Sequence, residues 1–550
     1  CMRAMSCWVW RLVGRQQAVV NAQGKLPLNP FASTRSVTVL AAISAVVLAH
    51  PDACFFSNIA HFVQAIFPHN KEGAQKMRDI AEETSVLVRK YKGAYSGEHG
   101  DGLCRGEWIK WQFGPRIHDA LCAIKQRLDP EGLLSPQRIV DPPPMDTQSL
   151  MRYSPRYTVI PLQPALDWRS WDVQNDPVTE AISAPGTGGD PALGLAKAVE
   201  MCNNNGSCRK FDAGTMCPSY RVTRDERHVT RGRANTLRLA LTSQLPAAHN
   251  GATGLAHPAV KESLDLCVGC KGCKRECPTG VDMARMKIEV LHRHQQDHGL
   301  TLRQRLISYM PDYAHLASAM APLLNLRDTV PGLAKLTEVL LGLSASRTLP
   351  RWHRKHFFNQ LPPTVDSDTV LLAKKPVVLF VDTFNGYLES EVAHAAVRVL
   401  QRGGYSVHVA SRDDGGKAHL CCGRTFLASG LVDQARAKMG ELIAHVAPFA
   451  KAGIAIVGLE PSCLLTLRDE ALTMDLGDDA VVVSKHALML EEFLLREANA
   501  GELDELRQQL RPDKRTLMVH AHCHQKALGA DHSVAAVLRF IPDAKVQLIE

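Results

Sequence analysis

From Lys71 to Tyr91 the apolar residues Met77, Ile80, Ala81, Val86, Leu87 and Val88 recur at helical spacing, and a second amphipathic helix is expected within Trp108–Leu128. Asp129-Pro130-Glu131-Gly132 is a turn that stops it. Pro142-Pro143-Pro144 then marks a boundary, and residues 141–190, rich in Pro, Gly and aromatic residues without periodicity, read as a connector. Helical segments with basic faces carry 192–300, a Leu-rich helical stretch runs from 301 to about 345, and a basic, Pro-flanked link covers 349–364. After Pro376 the pattern changes. Val377–Val381, Tyr405–Ala410, Ile454–Gly458, Thr516–Val519 and Val546–Ile549 are short apolar runs separated by helical patterns such as Leu388–Gln401. Continuous runs of this kind indicate a parallel sheet buried on both faces, hence an α/β domain. Residues 1–60 have a Trp-rich start and an isolated Val/Ala/Leu run, and are assigned no element. The longest apolar stretch, Val37–Ala49, is well short of the roughly 20 residues a spanning helix needs, so no transmembrane span is expected.

Composition changes this picture at three points. A chain of 550 residues is too long for one core, and roughly two to four domains are expected. With 45% hydrophobic and 22% charged residues and a mean hydropathy of −0.12, it is globular and not disordered as a whole. The net charge of +8 is spread without a block of like charges, which is too mild to argue for nucleic acid but is compatible with peripheral attachment to an anionic membrane surface. The 16 cysteines are clustered: Cys1, Cys7, Cys54, Cys104 and Cys122 are scattered, seven lie between Cys202 and Cys277, and four are Cys421, Cys422, Cys463 and Cys523. A long chain without a secretory signal in its first residues, and with cysteines in metal-ligand spacing, is expected in a reducing, cytoplasmic compartment.

The strongest chemical signal is Cys267-Val-Gly-Cys270-Lys-Gly-Cys273-Lys-Arg-Glu-Cys277-Pro278. Three thiolates at this spacing wrap one iron–sulfur cube, and the fourth, before proline, serves a neighbouring cluster in two-cluster ferredoxins. A structural zinc site is the alternative, since C-x2-C pairs also serve zinc. Upstream lies Cys202-x5-Cys208-x8-Cys217-Pro218, with Asn205 where a middle cysteine would stand. Exchanging the fourth ligands leaves one full set, Cys267, Cys270, Cys273 and Cys217, and one deficient set, Cys202, Cys208 and Cys277. The deficient set is open to a three-iron cluster, a four-iron cluster with a non-cysteine ligand, or nothing.

A third constellation comprises Cys421-Cys422-Gly423, Cys463 in Glu460-Pro461-Ser462-Cys463, and Cys523 in His522-Cys523-His524. Each follows a predicted strand or sits in a loop, where parallel sheets bind ligands. Adjacent cysteines before glycine suit a pair of metal ligands, and buried packing cysteines are the alternative. These residues resemble the cysteine-rich CCG domain of the iron–sulfur subunits of anaerobic glycerol-3-phosphate dehydrogenase, glycolate oxidase and heterodisulfide reductase. That family carries CCG once in each of two halves, whereas here the second half ends at Glu550 after His522-Cys523-His524. The resemblance therefore implies truncation at the C-terminus.

Near the start, Gly97-Glu98-His99-Gly100-Asp101-Gly102 places an acid and a histidine in a glycine-flanked loop. With the later Leu128-Asp129-Pro130 turn, it resembles the C-terminal domain of FAD-linked oxidases. The resemblance to D-lactate and D-2-hydroxyglutarate dehydrogenases of this family implies that His99 is the base for the substrate hydroxyl. It also makes Glu98, with His61, a ligand of a divalent metal such as zinc. An imidazole titrates near neutral pH, and a metal beside the alcohol lowers its pKa, so the residue types suit the roles. The FAD-binding half expected upstream is missing, which implies truncation at the N-terminus as well. Arg224–Arg238 lacks the aromatic interleaving of a nucleic-acid patch, and Gly186-Thr187-Gly188-Gly189 lacks the strand and Gly-Lys of a phosphate loop.

The order of segments implies a multidomain α+β and α/β protein. Residues 61–140 are expected to form part of an FAD-linked oxidase C-terminal α+β domain, and 141–190 a linker. An α-helical 4Fe-4S ferredoxin-type domain at 191–300, a helical connector at 301–365 and an α/β CCG domain at 366–550 complete the order. The expected activity is FAD-dependent oxidation of a small D-2-hydroxy acid of the D-lactate, D-2-hydroxyglutarate or glycolate type. Electrons would leave through one or two 4Fe-4S clusters to a quinone or redox-protein acceptor, in the cytoplasm or at the inner membrane surface. The rival reading is an iron–sulfur electron-transfer subunit that partners a separate flavoprotein.

Overall fold

The computed structural model describes residues 71–93, 95, 100–151, 157–172, 190–212, 214–248, 251–412 and 419–549. The chain divides into two compact units, Cys1–Tyr157 with Gln174–Gly188, and Thr158–Val173 with Gly189–Glu550.

In the first unit the helical pattern becomes α1, Lys71–Lys90. The second expected helix, α2, runs over Pro115–Leu128 and stops at Asp129, and a short helix, Ile109–Phe113, precedes it and ends at Gly114. Pro115 has no N–H to continue the first helix but is well placed at the start of the next. Arg78 on α1 ties the unit together, reaching Glu107 at 3.1 Å and Asp146 at 2.7 Å while lying 5.9 Å from the centre of the buried Trp108 ring.

The second unit begins with helices α3 (Pro218–Thr223), α4 (Thr230–Leu241), α5 (Gly272–Glu276) and α6 (Met283–His298). Val229, Ala234, Leu237, Leu241, Met283 and Val290 are buried at their centre. Residues 158–172, within the stretch read as a connector, are bound onto this bundle. The buried Glu289 of α6 accepts hydrogen bonds from the backbone of Ala165 and Leu166 and from Trp168 Nε1, each at 2.8 Å. The Arg285 guanidinium stacks 3.9 Å from the Trp168 ring centre. The Leu-rich connector contributes several helices, among them α7 (Met310–Ala319).

The last part is the expected α/β fold. Strands β1 (Pro376–Phe380), β2 (Ser406–Val409), β3 (Ala455–Gly458) and β4 (Ala487–Met489) form a parallel sheet in the order β2-β1-β3-β4. Its register pairs Val377 with Val407 on one side and with Ala455 on the other. Strands β5 (Thr516–Val519) and β6 (Lys545–Leu548) pair in parallel as a separate two-stranded sheet. The apolar runs match the strands closely. The three-residue edge strand β4 was not among the expected ones, because Ala-Leu-Met carries no strand signature and continues directly from a helix. Connecting helices include α8 (Thr383–Tyr387), α9 (Ser390–Arg402), α10 (Arg424–Leu427), α11 (Val432–Lys451), α12 (Pro461–Leu467) and α13 (Cys523–Leu528).

Strand order reverses at β1, and the segments leaving the carboxyl ends of β2, β3 and β5 carry Cys421 and Cys422, Cys463, and Cys523 respectively. That is where a parallel sheet offers its ligand site.

Candidate iron–sulfur site

Cys217, Cys267, Cys270 and Cys273 line a single pocket, and these are the four residues that the exchange of fourth ligands selects. Local backbone explains how they converge. Cys217 takes a left-handed conformation (φ 52°) just before Pro218 opens α3, which turns its thiol back toward the 267–273 loop. Gly272 lets that loop close: an added Cβ would lie 3.1 Å from the backbone of both Thr215 and Met216.

The sulfurs are met by hydrogen-bond donors. The Thr230 backbone N–H donates to Cys217 Sγ at 3.1 Å, with the Thr230 hydroxyl 3.0 Å from the same sulfur. Backbone N–H groups of Gly272 and Met283 likewise donate to Cys270 and Cys273. Burial pushes the Cys270 thiol up to about 11 and Cys273 well above its ordinary value. Isolated thiolates are costly in this pocket, whereas iron supplies the positive charge that makes them stable. Four convergent thiols with N–H donors fit an iron–sulfur cluster. Among the described residues, no three His, Cys, Asp or Glu side chains converge on a single-ion position.

The deficient set is arranged differently. Cys202 and Cys208 are buried and interact electrostatically with each other, and Cys208 does so with Cys217. Cys277 is only partly buried, its thiol 3.3 Å from the Thr279 hydroxyl. Asn205 turns its amide onto Asn203 and Ser207, so it does not stand in for the missing cysteine. Asn204 lies nearer, with Oδ1 3.8 Å from Cys202 Sγ.

Cys421, Cys422 and Cys463 form a buried chain of thiol–thiol contacts in which Cys422 is the middle member. The CCG glycine has a structural reason: Gly423 has φ 75°, and a Cβ there would sit 2.7 Å from the Ala435 carbonyl oxygen of α11. Cys523 opens α13 and interacts electrostatically with Cys270 of the cluster pocket. The next residue, His524, places Nε2 3.0 Å from the Gly269 carbonyl oxygen, while its buried Nδ1 has no protein partner. The third constellation therefore borders the cluster loop directly.

A buried charge network, which sequence reasoning missed, joins the two. Lys271, 2% exposed between two cluster cysteines, contacts Asp469 at 2.7 Å and Glu470 at 2.6 Å. Glu470 also pairs with Arg424, the residue after CCG, at 2.6 Å, and Lys274 pairs with Asp469. Burial opposes ionisation of Asp469, but Lys271 and Lys274 outweigh it and hold the carboxyl well below the usual range. The only sequence signal for this network was a lysine inside the cysteine motif.

His61, Glu98 and His99 lie outside the described residues. At the far edge of their motif, Gly100 and Gly102 take positive φ, and Ile139 N–H donates to the Gly102 carbonyl at 3.3 Å.

The fold and site define the ligand set of an iron–sulfur protein, a four-cysteine pocket bordering an α/β sheet. Comparison with known proteins gives the same composition. Residues 41–139 match the family described as FAD linked oxidases, C-terminal domain, and residues 198–281 match the 4Fe-4S dicluster domain. The chain is 24% identical over 457 residues to a D-2-hydroxyglutarate dehydrogenase of Escherichia coli (strain K12), covering 75% of this chain and 41% of the relative. With a D-2-hydroxyglutarate dehydrogenase of Pseudomonas putida it shares 25% over 466 residues, 76% of this chain and 42% of that protein. It also resembles one subunit of the anaerobic glycerol-3-phosphate dehydrogenase of Escherichia coli (strain K12), at 23% over 262 residues, 46% of this chain and 60% of that relative. No solved structure matches. The chain thus joins an FAD-oxidase C-terminal domain, which implies FAD, to a 4Fe-4S dicluster domain, and spans about two fifths of the length of the dehydrogenases it matches.

Proposed function

We propose that this chain serves the oxidation of a small D-2-hydroxy acid of the D-2-hydroxyglutarate, D-lactate or glycolate type. When bound, FAD supplies two-electron oxidation of the substrate, and a 4Fe-4S cluster supplies one-electron transfer toward a quinone or redox-protein acceptor. The observation that carries this reading is the shared border between the four-cysteine pocket and the CCG cysteines, through Gly269, His524 and the Lys271–Glu470–Arg424 bridge.

The chain's own contribution is positioning and charge. Cys217, Cys267, Cys270 and Cys273 would hold the cluster, and the N–H donors from Thr230, Gly272 and Met283 stabilise electron density on the sulfurs. Lys271 and Arg424, ion-paired with Asp469 and Glu470, form a buried bridge that fixes the two cysteine groups against each other. On the motif alone, His99 is proposed as the base that takes the substrate's hydroxyl proton, with Glu98 and His61 as ligands of a divalent metal such as zinc. Among the described residues no helix is long and apolar enough to cross a membrane, and the proposed location is the cytoplasm or the inner membrane surface.

The likeness to a glycerol-3-phosphate dehydrogenase subunit over nearly half the chain favours one rival, a relay that receives electrons from a separate flavoprotein. Anaerobic purification separates the readings. Iron, acid-labile sulfide, bound flavin and D-2-hydroxyglutarate-dependent dye reduction together support the oxidase. Iron and sulfide without flavin support the relay. Zinc in place of iron overturns both.

A further inference from the structure

Beside the CCG motif, on a side of Cys421 that the cluster pocket does not share, is a separate cavity of about 220 Å³. Its inner wall is Tyr387, His419 and Cys421, all well covered by the fold. Asp312 and His315 from α7, Arg412 after β2, and Lys438 from α11 stand at its open rim. The volume is below the range for drug-sized ligands and suits a molecule with a single ring.

The charges at the rim decide what kind of molecule fits. Lys438 is paired with Asp312 at 2.6 Å, and Arg412 is held by Glu441 through contacts of 2.6 and 2.8 Å. Both cations are therefore neutralised, and among the described residues the lining offers no unpaired lysine or arginine with which to select a polyanion. What it retains are neutral donors and ring faces. The Tyr387 hydroxyl lies 3.2 Å from His419 Nδ1, and the two rings meet edge to face at 5.2 Å, with Phe358 against both. A flat, uncharged molecule that accepts hydrogen bonds through oxygen matches this lining.

We propose that this cavity is the seat of a single-ring quinone, the terminal electron acceptor of the chain. The inference rests on the electron-transfer reading above and assigns that reading its exit site. Cys421 lines the cavity on one side and contacts Cys422 on the other, and Cys422 contacts Cys463, so the quinone would touch the end of the buried thiol chain. A cluster held by Cys217, Cys267, Cys270 and Cys273 would supply the two electrons of the hydroxy acid one at a time. Two protons enter from solvent at the open rim, and the quinone's two carbonyl groups become the two hydroxyls of the quinol. Tyr387 and His419 position the ring by hydrogen bonding and edge contact.

Ubiquinone-1 is a suitable probe because its ring is fully substituted and resists addition of a cysteine thiol. The anaerobically purified chain, photoreduced with deazaflavin, is mixed with ubiquinone-1 or with ferricyanide, and reoxidation is followed by recovery of visible absorbance. Tyr387→Phe removes the hydroxyl, and His315→Trp fills the mouth from an exposed helix position. Both variants should slow ubiquinone-1 reoxidation by about tenfold, the loss expected for one buried hydrogen bond or a comparable obstruction. Ferricyanide, which needs no pocket, should reoxidise all three proteins within about twofold of one another. Equilibrium dialysis of ubiquinone-1 against the same proteins reads binding without redox chemistry, and should weaken by a similar factor. Equal quinone rates or equal quinone binding in wild type and variants would overturn the proposal. A chain that carries no reducible iron instead overturns the electron-transfer reading, and the dialysis result then still decides the pocket.

Discussion

A cysteine thiol buried in protein is a poor anion until a metal compensates it, and the cluster pocket shows both halves of that balance. Burial raises Cys270 and Cys273, while N–H groups from Thr230, Gly272 and Met283 wait at the sulfurs. Cys217 belongs with the 267–273 loop in space although about fifty residues of sequence separate them, as the ferredoxin exchange rule requires. Cys217→Ser should therefore abolish most of the visible absorbance and roughly all of the labile sulfide of the full cluster, since a serine hydroxyl is a far weaker iron ligand. Cys202→Ser, outside that pocket, should leave this signal in place. Iron and sulfide analysis of the two variants side by side checks the assignment.

At the scale of elements, the segment 158–172 changes the meaning of a stretch that reads as loose connector. It has no periodicity, so nothing in the sequence marks it as structured, yet Trp168 is 2% exposed against α6. Trp168→Ala removes a buried ring, its stacking on Arg285 and one hydrogen bond to Glu289, and should cost about 3–5 kcal/mol by urea denaturation. Glu289 adds a pH dependence. Burial raises its pKa despite the three N–H donors, so the folded state holds the proton more tightly than the unfolded chain. Its contribution to stability is then greatest below the ordinary carboxyl value of 4.5 and is lost as pH rises through the higher folded value. Between about pH 5 and about pH 8 the wild type should lose more stability than Glu289→Gln, which has no titrating carboxyl. Parallel urea midpoints across that range would reveal the difference, and equal slopes would show that Glu289 does not titrate there.

For the second unit taken whole, the decisive feature is the charge bridge from the cluster loop to the α/β sheet. Lys271, Asp469, Glu470 and Arg424 are buried together, and each carboxylate there depends on a cation from another segment. Lys271→Met keeps the length of the side chain but removes one of two cations from each carboxylate, leaving Asp469 to Lys274 and Glu470 to Arg424, and should destabilise the protein by about 1.5–3 kcal/mol. The loss should appear as easier proteolysis between the ferredoxin-type and α/β parts, together with a lower cluster reduction potential by EPR titration. Unchanged stability and potential would show that Arg424 and Lys274 carry the carboxylates unaided.

The local chemistry of this protein was written in short-range patterns. Cysteine spacing selected the four residues that share the cluster pocket, and continuous apolar runs located five of the six strands among the described residues, because both depend on neighbours a few residues apart. Tertiary structure alone decided which distant charges meet. Asp469 and Glu470 lie nearly two hundred residues from Lys271, and neither carries a mark of burial in sequence. The same holds for the cavity at Cys421, whose walls come from α7, α8, α11 and the segment after β2. Pairing energies between remote side chains are set by packing of whole elements, and no periodicity along one segment can encode them.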